Sequence, residues 1–494
     1  MQIRRSSIVL EIVYKFIIEK LYHSKNFTIH KLGVSILSIN QQRKLGFKRI
    51  KRKRPKVHVL ANNRIPQLSW ICDIVGDNYN FTVGSAVEIS ERFIFEGTWD
   101  GDFNSGKIRE SEFAFGSGAV IDRNRITFIP PKHTLEGLFI LVDKKRKRTG
   151  VSNSLCFLTK MMNVDLNGDF FKKLSQELNN AINVASERGI DTYTQRVVET
   201  KEYILYRMLF YNFSVDSLGT IKLQLILPRQ YFNSFNTYTE FLNEKIEKIV
   251  ENSTSPYRKI TYQPISTLTK GYDSPTVSLL AKGSGCNEAL TLDVVIMGID
   301  DSGTEIGKAI GFNVFSYKHI MAQYSDNDSM VENLRVEFEN ELQYIASEFI
   351  ATGGVGDDVA FYPFQDKLRK RLFLTGSLGD SVWNKQTKLR PGIPSAVPFM
   401  KSITEYRLRV GFLFFPVPYL GGRFPAAIVR ISNSDELRRY SNGSDYDRPI
   451  CRKIIEEAGI PGDWFGVRKN ATAPLILNHK KLFPESFKQI MNRY

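Results

Sequence analysis

The chain has 494 residues, of which 42% are hydrophobic, 24% charged and 12% aromatic, enough apolar material to fill folded cores and to exclude a globally disordered chain. At roughly 150 residues per domain this length points to two or three units rather than one. The formal charge of +16 is uneven: residues 1–60 hold fifteen Lys or Arg against Glu11 and Glu19, so +13 of it lies there and the body is nearly neutral.

Residues 8–18 form the longest apolar run, and Glu11 and Lys15 interrupt it. With Glu19 they stand at i, i+4 spacing, which predicts a packed or interfacial helix rather than a membrane span or an export signal. The run 43–56 ends in Lys-Arg-Lys-Arg-Pro-Lys. Its like charges repel and Pro55 stops a helix, so it reads as a basic arm linking an N-terminal extension (1–57) to the body. Such an arm binds nucleic acid or anionic lipid head groups by counterion release, or is simply a solvated linker. Cys72, Cys156, Cys286 and Cys451 lie far apart without a C-x-x-C pair, which argues against a zinc cluster or disulfide framework and fits a cytoplasmic protein.

From 58 to about 232 the pattern is mostly strands and turns, at Phe81-Thr-Val, Arg92-Phe-Ile-Phe, Ala119-Val-Ile, Arg125-Ile-Thr-Phe-Ile, Leu138-Phe-Ile-Leu-Val and a run from Ile221, with a helix pair at 169–188. This describes an α+β domain. A long helix over 237–252 follows, with Phe241, Leu242, Ile246 and Ile249 at helical spacing and Glu244–Lys248 as an i, i+4 pair. After it, in the domain 233–494, the order becomes strand, Gly-containing turn, helix and strand, as in an α/β fold with a parallel sheet. Gly303-Thr-Glu-Ile-Gly-Lys-Ala falls one residue short of a Walker A loop and is expected to be an exposed turn. Gly353-Gly-Val-Gly-Asp-Asp is expected to be flexible or to shape a pocket.

Two segments carry chemistry. In the first, an apolar run from Ile265 reaches Thr269-Lys270-Gly271-Tyr272-Asp273-Ser274 and then a helix. Backbone N–H groups there can hold a phosphate, Gly271 permits close approach, and Asp273 would need a cation between itself and that phosphate, which implies Mg2+. An N-capping Asp or Ser would explain the same residues. In the second, Arg371-Leu-Phe-Leu runs into Thr375-Gly376-Ser377-Leu378-Gly379-Asp380. Turns at the carboxyl ends of neighbouring parallel strands face one crevice.

The pair resembles the PP-loop ATP-pyrophosphatase (HUP-like) domain of the asparagine synthetase B and β-lactam synthetase family, whose loops read Ser-Gly-Gly-x-Asp-Ser and Ser/Thr-Gly-x-Gly-x-Asp. The resemblance implies that Lys270, Gly271, Ser274, Thr375, Gly376 and Gly379 border ATP, and that Asp273 and Asp380 bind Mg2+. Ile403-Thr-Glu-Tyr-Arg and Pro449-Ile-Cys-Arg-Lys, followed by Val467-Arg-Lys469, are similar to two further family segments. They imply a catalytic Lys469, stabilising developing charge, and Glu405 for orientation or proton transfer. The first domain is similar to the glutamine-hydrolysing, Ntn-type amidotransferase half of that family. It has Gln2 and a long extension where the family exposes a cysteine, so it is expected to be degenerate.

The implied activity is an AMP-forming ligase that activates a small-molecule acid as an adenylate and passes it to an amine donor; a homodimer is compatible with this. Lys270 and Leu378 stand where the family has glycine, so two alternatives stay open: a PP-loop enzyme modifying RNA or a nucleobase, and a catalytically degenerate ATP-binding protein.

Overall fold

The computed structural model describes residues 54–164, 170–174, 196–224, 229–295, 299–317, 347–351, 357–387, 403–466 and 479–494. All described residues fall within one compact unit. The helix expected over 8–18, nearly all of the basic arm, most of the helix pair at 169–188, most of 353–358, and Lys469 lie outside the described residues.

The first half folds as two sheets. One has seven strands in the order Lys56–Ala61, Asn78–Val83, Trp70–Val75, Arg148–Ser152, Leu138–Asp143, Tyr203–Met208, Arg196–Glu199. Only its first two strands pair in parallel. The other has six antiparallel strands in the order Ile221–Gln224, Asn212–Val215, Arg125–Ile129, Ala114–Asp122, Phe93–Trp99, Glu88–Ile89. Alternating apolar residues from both sheets, among them Trp70, Phe81, Ile94, Phe128, Ile140 and Phe213, form one core, so the sheets are stacked face to face. The six expected strands all fall on observed ones. The first strand begins at Lys56, so the end of the basic arm belongs to the sheet.

Helix α1 (Leu155–Met162), which sequence periodicity did not flag, covers the outer face of the seven-stranded sheet through Leu155, Leu158 and Met162. Ser154 caps it, accepting from the Phe157 N–H at 3.0 Å. Helix α2 (Phe235–Thr254) contains the expected 237–252 and buries the four anticipated apolar residues.

Beyond α2 the chain alternates: β1 (Gln263–Thr267), α3 (Asp273–Lys282), β2 (Glu288–Leu292), α4 (Thr304–Ile310), β3 (Asn313–Tyr317), β4 (Arg371–Thr375), α5 (Thr404–Val410), β5 (Leu413–Pro416) and α6 (Pro449–Glu457). The five strands make a wholly parallel sheet in the order β3-β2-β1-β4-β5. This is a mixed α/β fold of doubly wound order, and the order reverses between β1 and β4. The segment at Gly303 is corrected by the structure: it opens α4, which buries Ile306, Gly307 and Ile310. A Cβ on Gly307 would lie 2.2 Å from Val314 Cγ2, so this glycine lets the helix press onto β3.

The halves are fastened tightly. Phe115 of the six-stranded sheet meets Phe415 of β5 with ring centroids 4.4 Å apart, and Thr98 donates to the Ile249 carbonyl of α2 at 2.9 Å. Helix α7 (His479–Met491) returns to the first half and packs Phe483 and Phe487 against Phe171.

Candidate functional site

The reversal in strand order places the carboxyl ends of β1 and β4 side by side, and the two anticipated turns leave from them. They touch. A Cβ on Gly376 would stand 2.6 Å from Asp273 Cβ, and one on Gly379 would stand 2.4 Å from Asp273 Cγ. Both positions need glycine because the Asp273 side chain occupies the space a larger residue would take.

The first turn does not use its polar residues as caps. The N-cap of α3 is Tyr272, and no side chain caps that end. Ser274 instead lies 3.2 Å from the Thr267 hydroxyl, and the Gly271 N–H donates to Thr269 Oγ1 at 3.1 Å. The capping explanation for Asp273-Ser274 therefore fails, and an uncapped helix end is left at the crevice, where anions are favoured. Lys270 directs its ammonium to Asp300, and its N–H donates to the Asp301 carboxylate at 3.3 Å.

In the second turn Leu378 has φ +80° and ψ −7° and is buried. A branched side chain in the left-handed region costs of order 1–3 kcal/mol, and such strain clusters at functional turns. The conformation is the one a glycine adopts freely. Ser377 N–H donates to Thr375 Oγ1 at 3.4 Å, closing the turn. Asp380, in the helical turn Gly379–Val382, is exposed.

Sequence reasoning missed the loop that covers the first turn. Asp447 is buried and gathers it: Ser441 Oγ and the N–H groups of Asn442 and Gly443 donate to its carboxylate, the latter two at 3.3 and 3.1 Å, and Lys385 lies 3.3 Å away. The loop thereby delivers Arg448, which is 2% exposed and donates from Nη1 to Asp273 Oδ1. Burial opposes the charge on Arg448, but Asp273 and Tyr446 outweigh it and raise its pKa. The guanidinium lies 4.7 Å from the Tyr446 ring centre, and burial pushes the Tyr446 hydroxyl up to about 12. The signal available in the sequence was the polar stretch Asn442-Gly-Ser-Asp-Tyr-Asp-Arg ahead of a helix-starting Pro449.

Gly466 binds the same turn from another side. Its N–H donates to the Lys270 carbonyl at 2.7 Å, and its φ is +66°. A Cβ there would lie 2.2 Å from Tyr272 Cζ, so the backbone is pressed flat on that ring.

Glu405 is not with the turns. It is 3% exposed and accepts from Ser154 Oγ at 2.6 Å and Tyr494 Oη at 2.7 Å. Both carboxylate oxygens are thus occupied by residues of the first half and of the segment after α7, which is a structural role in joining them. Burial raises its pKa above the usual 4.5, against the hydrogen bonds from Ser154 and Tyr494. Stability from this group is therefore full below about 4.5 and is lost as pH rises through the raised folded value. Glu405→Gln cannot ionise, so in urea melts the wild type should lose stability relative to the variant across that window. A difference that does not change with pH would contradict the raised value.

Among the described residues no group of three His, Cys, Asp or Glu side chains could hold a metal by itself, the four cysteines are buried and free, and no helix is long and apolar enough to cross a membrane. No protein-family model matches the chain, and no curated protein shows significant similarity to it.

Proposed function

We propose that the chain is an ATP-dependent, AMP-forming ligase of the asparagine synthetase type, in which the paired turns hold the nucleotide. The observation that carries this reading is the contact of the two turns, through Gly376 and Gly379 on Asp273, at the point where the strand order reverses. Open α/β sheets bind their ligands at that point. The left-handed, buried Leu378 of the second turn supports it, since backbone strain of this kind clusters at functional sites.

The residues fit a nucleotide accompanied by Mg2+. That ion binds through one or two carboxylates and completes its shell with phosphate oxygens and water, so Asp273 and Asp380 suffice without a third ligand. Once bound, the metal would neutralise charge on the polyphosphate. N–H groups at the start of α3 would orient the phosphates, and Gly271 leaves room, with no atom closer than 3.3 Å to where its Cβ would be. Arg448 already balances Asp273 and can supply a second positive charge beside the phosphates. Lys469 is three residues beyond Gly466, which sits on the first turn.

ATP–pyrophosphate exchange measured over a panel of carboxylic acids tests this. Exchange with a matching acid is expected, with Asp380→Ala lowering it at least about 100-fold, the order of effect seen when an electrostatic partner of the transition state is removed. Exchange that survives Asp380→Ala would refute the metal assignment. Tight ATP binding without exchange for any acid would identify a nucleotide-binding protein that has lost the reaction.

A further inference from the structure

A cleft of about 450 Å3, counting its open mouth, lies where the six-stranded sheet meets the segment after β5. Its walls include Phe113, Phe210, Leu420 and Phe424, and its charged residues are Lys132, Arg423 and Glu112. An apolar wall with a few charged groups is the usual make-up of small-molecule sites.

The charges are arranged unevenly. Lys132 is 7% exposed, and its ammonium donates to the Phe210 carbonyl and, at 2.6 Å, to Asn212 Oδ1. An ammonium has three N–H groups, so one is left over. Arg423 has a single side-chain hydrogen bond among the described residues, a long one of 3.4 Å to Tyr211 Oη, and its Nε has no partner. Its guanidinium lies over the Phe210 ring at 5.0 Å. Glu112, which would repel an anion, is itself answered by Arg229 at 3.8 Å. The cleft therefore presents two basic groups against one carboxylate, whose Oε2 is buried without a hydrogen-bond partner. Burial, together with repulsion from the nearby Arg423 charge, depresses the Lys132 pKa to about 7. An anion between them would relieve that repulsion.

The cleft adjoins the second turn. Residues Val417–Leu420 pack on the helical turn Gly379–Val382, and the Tyr419 hydroxyl is close enough to Asp380 to feel its charge.

We infer that this cleft binds a small organic acid with an apolar, aryl or alkyl body, its carboxylate held by Arg423 and Lys132. The identification of that acid as the group the enzyme activates rests on the ligase reading; the binding itself does not. A carboxylate suits Arg423 because the planar guanidinium can meet two oxygens at once.

Calorimetry on the full chain, with 3-phenylpropanoate and 3-phenylpropanamide as probes and no nucleotide present, tests the inference. The acid should bind at least about tenfold more tightly than the amide, a difference within what one charge-assisted hydrogen bond contributes. Arg423→Met should erase that preference while a thermal melt shows the variant folded, and Arg423→Lys should restore part of it. Equal affinity for acid and amide, no binding of either, or a preference untouched in Arg423→Met would overturn the assignment. Acid binding without pyrophosphate exchange would sink the ligase reading and leave the site standing.

Discussion

Arg407→Met should destabilise the protein by about 3–5 kcal/mol, the cost of removing one partner from a buried ion cluster. Arg407 sits on α5, is 2% exposed, and donates from Nη1 to Glu96 at 2.7 Å and from Nε to Glu136 at 2.8 Å. Burial opposes the charge on Arg407, yet Glu136 and Glu96 outweigh it and hold the guanidinium above its usual value. His133 lies 3.8 Å from Glu136. Burial, with Arg407 and Arg207 nearby, depresses the His133 pKa to about 3, so the imidazole is neutral beside the intact cluster. In the variant two buried carboxylates would face each other without their cation, and Glu136, whose pKa burial already raises, would be raised further. The variant should therefore recover stability as pH falls toward 5, since protonation removes the penalty. Urea melts at pH 5 and pH 8 decide it, and a loss below 1 kcal/mol at pH 8 would mean that water already solvates the cluster.

Gly379→Ala should weaken ATP binding by about 100-fold or more while leaving most of the fold intact. The added methyl would lie 2.5 Å from Asp273 Oδ1 and 2.4 Å from its Cγ, a clash that only movement of Asp273 or separation of the turns can relieve. Moving Asp273 breaks its pairing with Arg448. Overpacking of this kind costs typically 1–3 kcal/mol of stability, and misplacing groups by about an ångström in a binding site is worth on the order of 100-fold. Gly283→Ala is the control, because nothing lies within 4 Å of its Cβ position and its φ is −59°. That change should be neutral or slightly stabilising. ATP titration by calorimetry separates the two variants, and unchanged affinity in Gly379→Ala would remove the turns from the nucleotide site.

The two strand–turn–helix units were legible in the sequence because each is local: β-branched runs, a glycine turn and an apolar helix face are written within about fifteen neighbouring residues. The same holds for α2, whose stripe of Phe241, Leu242, Ile246 and Ile249 is buried as its spacing demands. One local reading went astray, and another left the residue's surroundings unspecified. Gly303 appeared to be a loop glycine, but contact with β3 stabilises a helix after it. Glu405 lay in a stretch similar to a catalytic segment, but its environment is set by Ser154, 251 positions away, and by Tyr494.

Local patterning thus determined the order of strands and helices, the place of the charge and the two glycine turns. Tertiary structure decided what the side chains in those turns meet. Arg448 reaches Asp273 across 175 positions, and Arg407 reaches Glu96 across 311. A charge pair of that separation leaves no periodicity for a sequence to display. It forms only when packing brings the loop before α6 onto the turn after β1, and α5 onto the six-stranded sheet, in the dry surroundings that make each pairing obligatory.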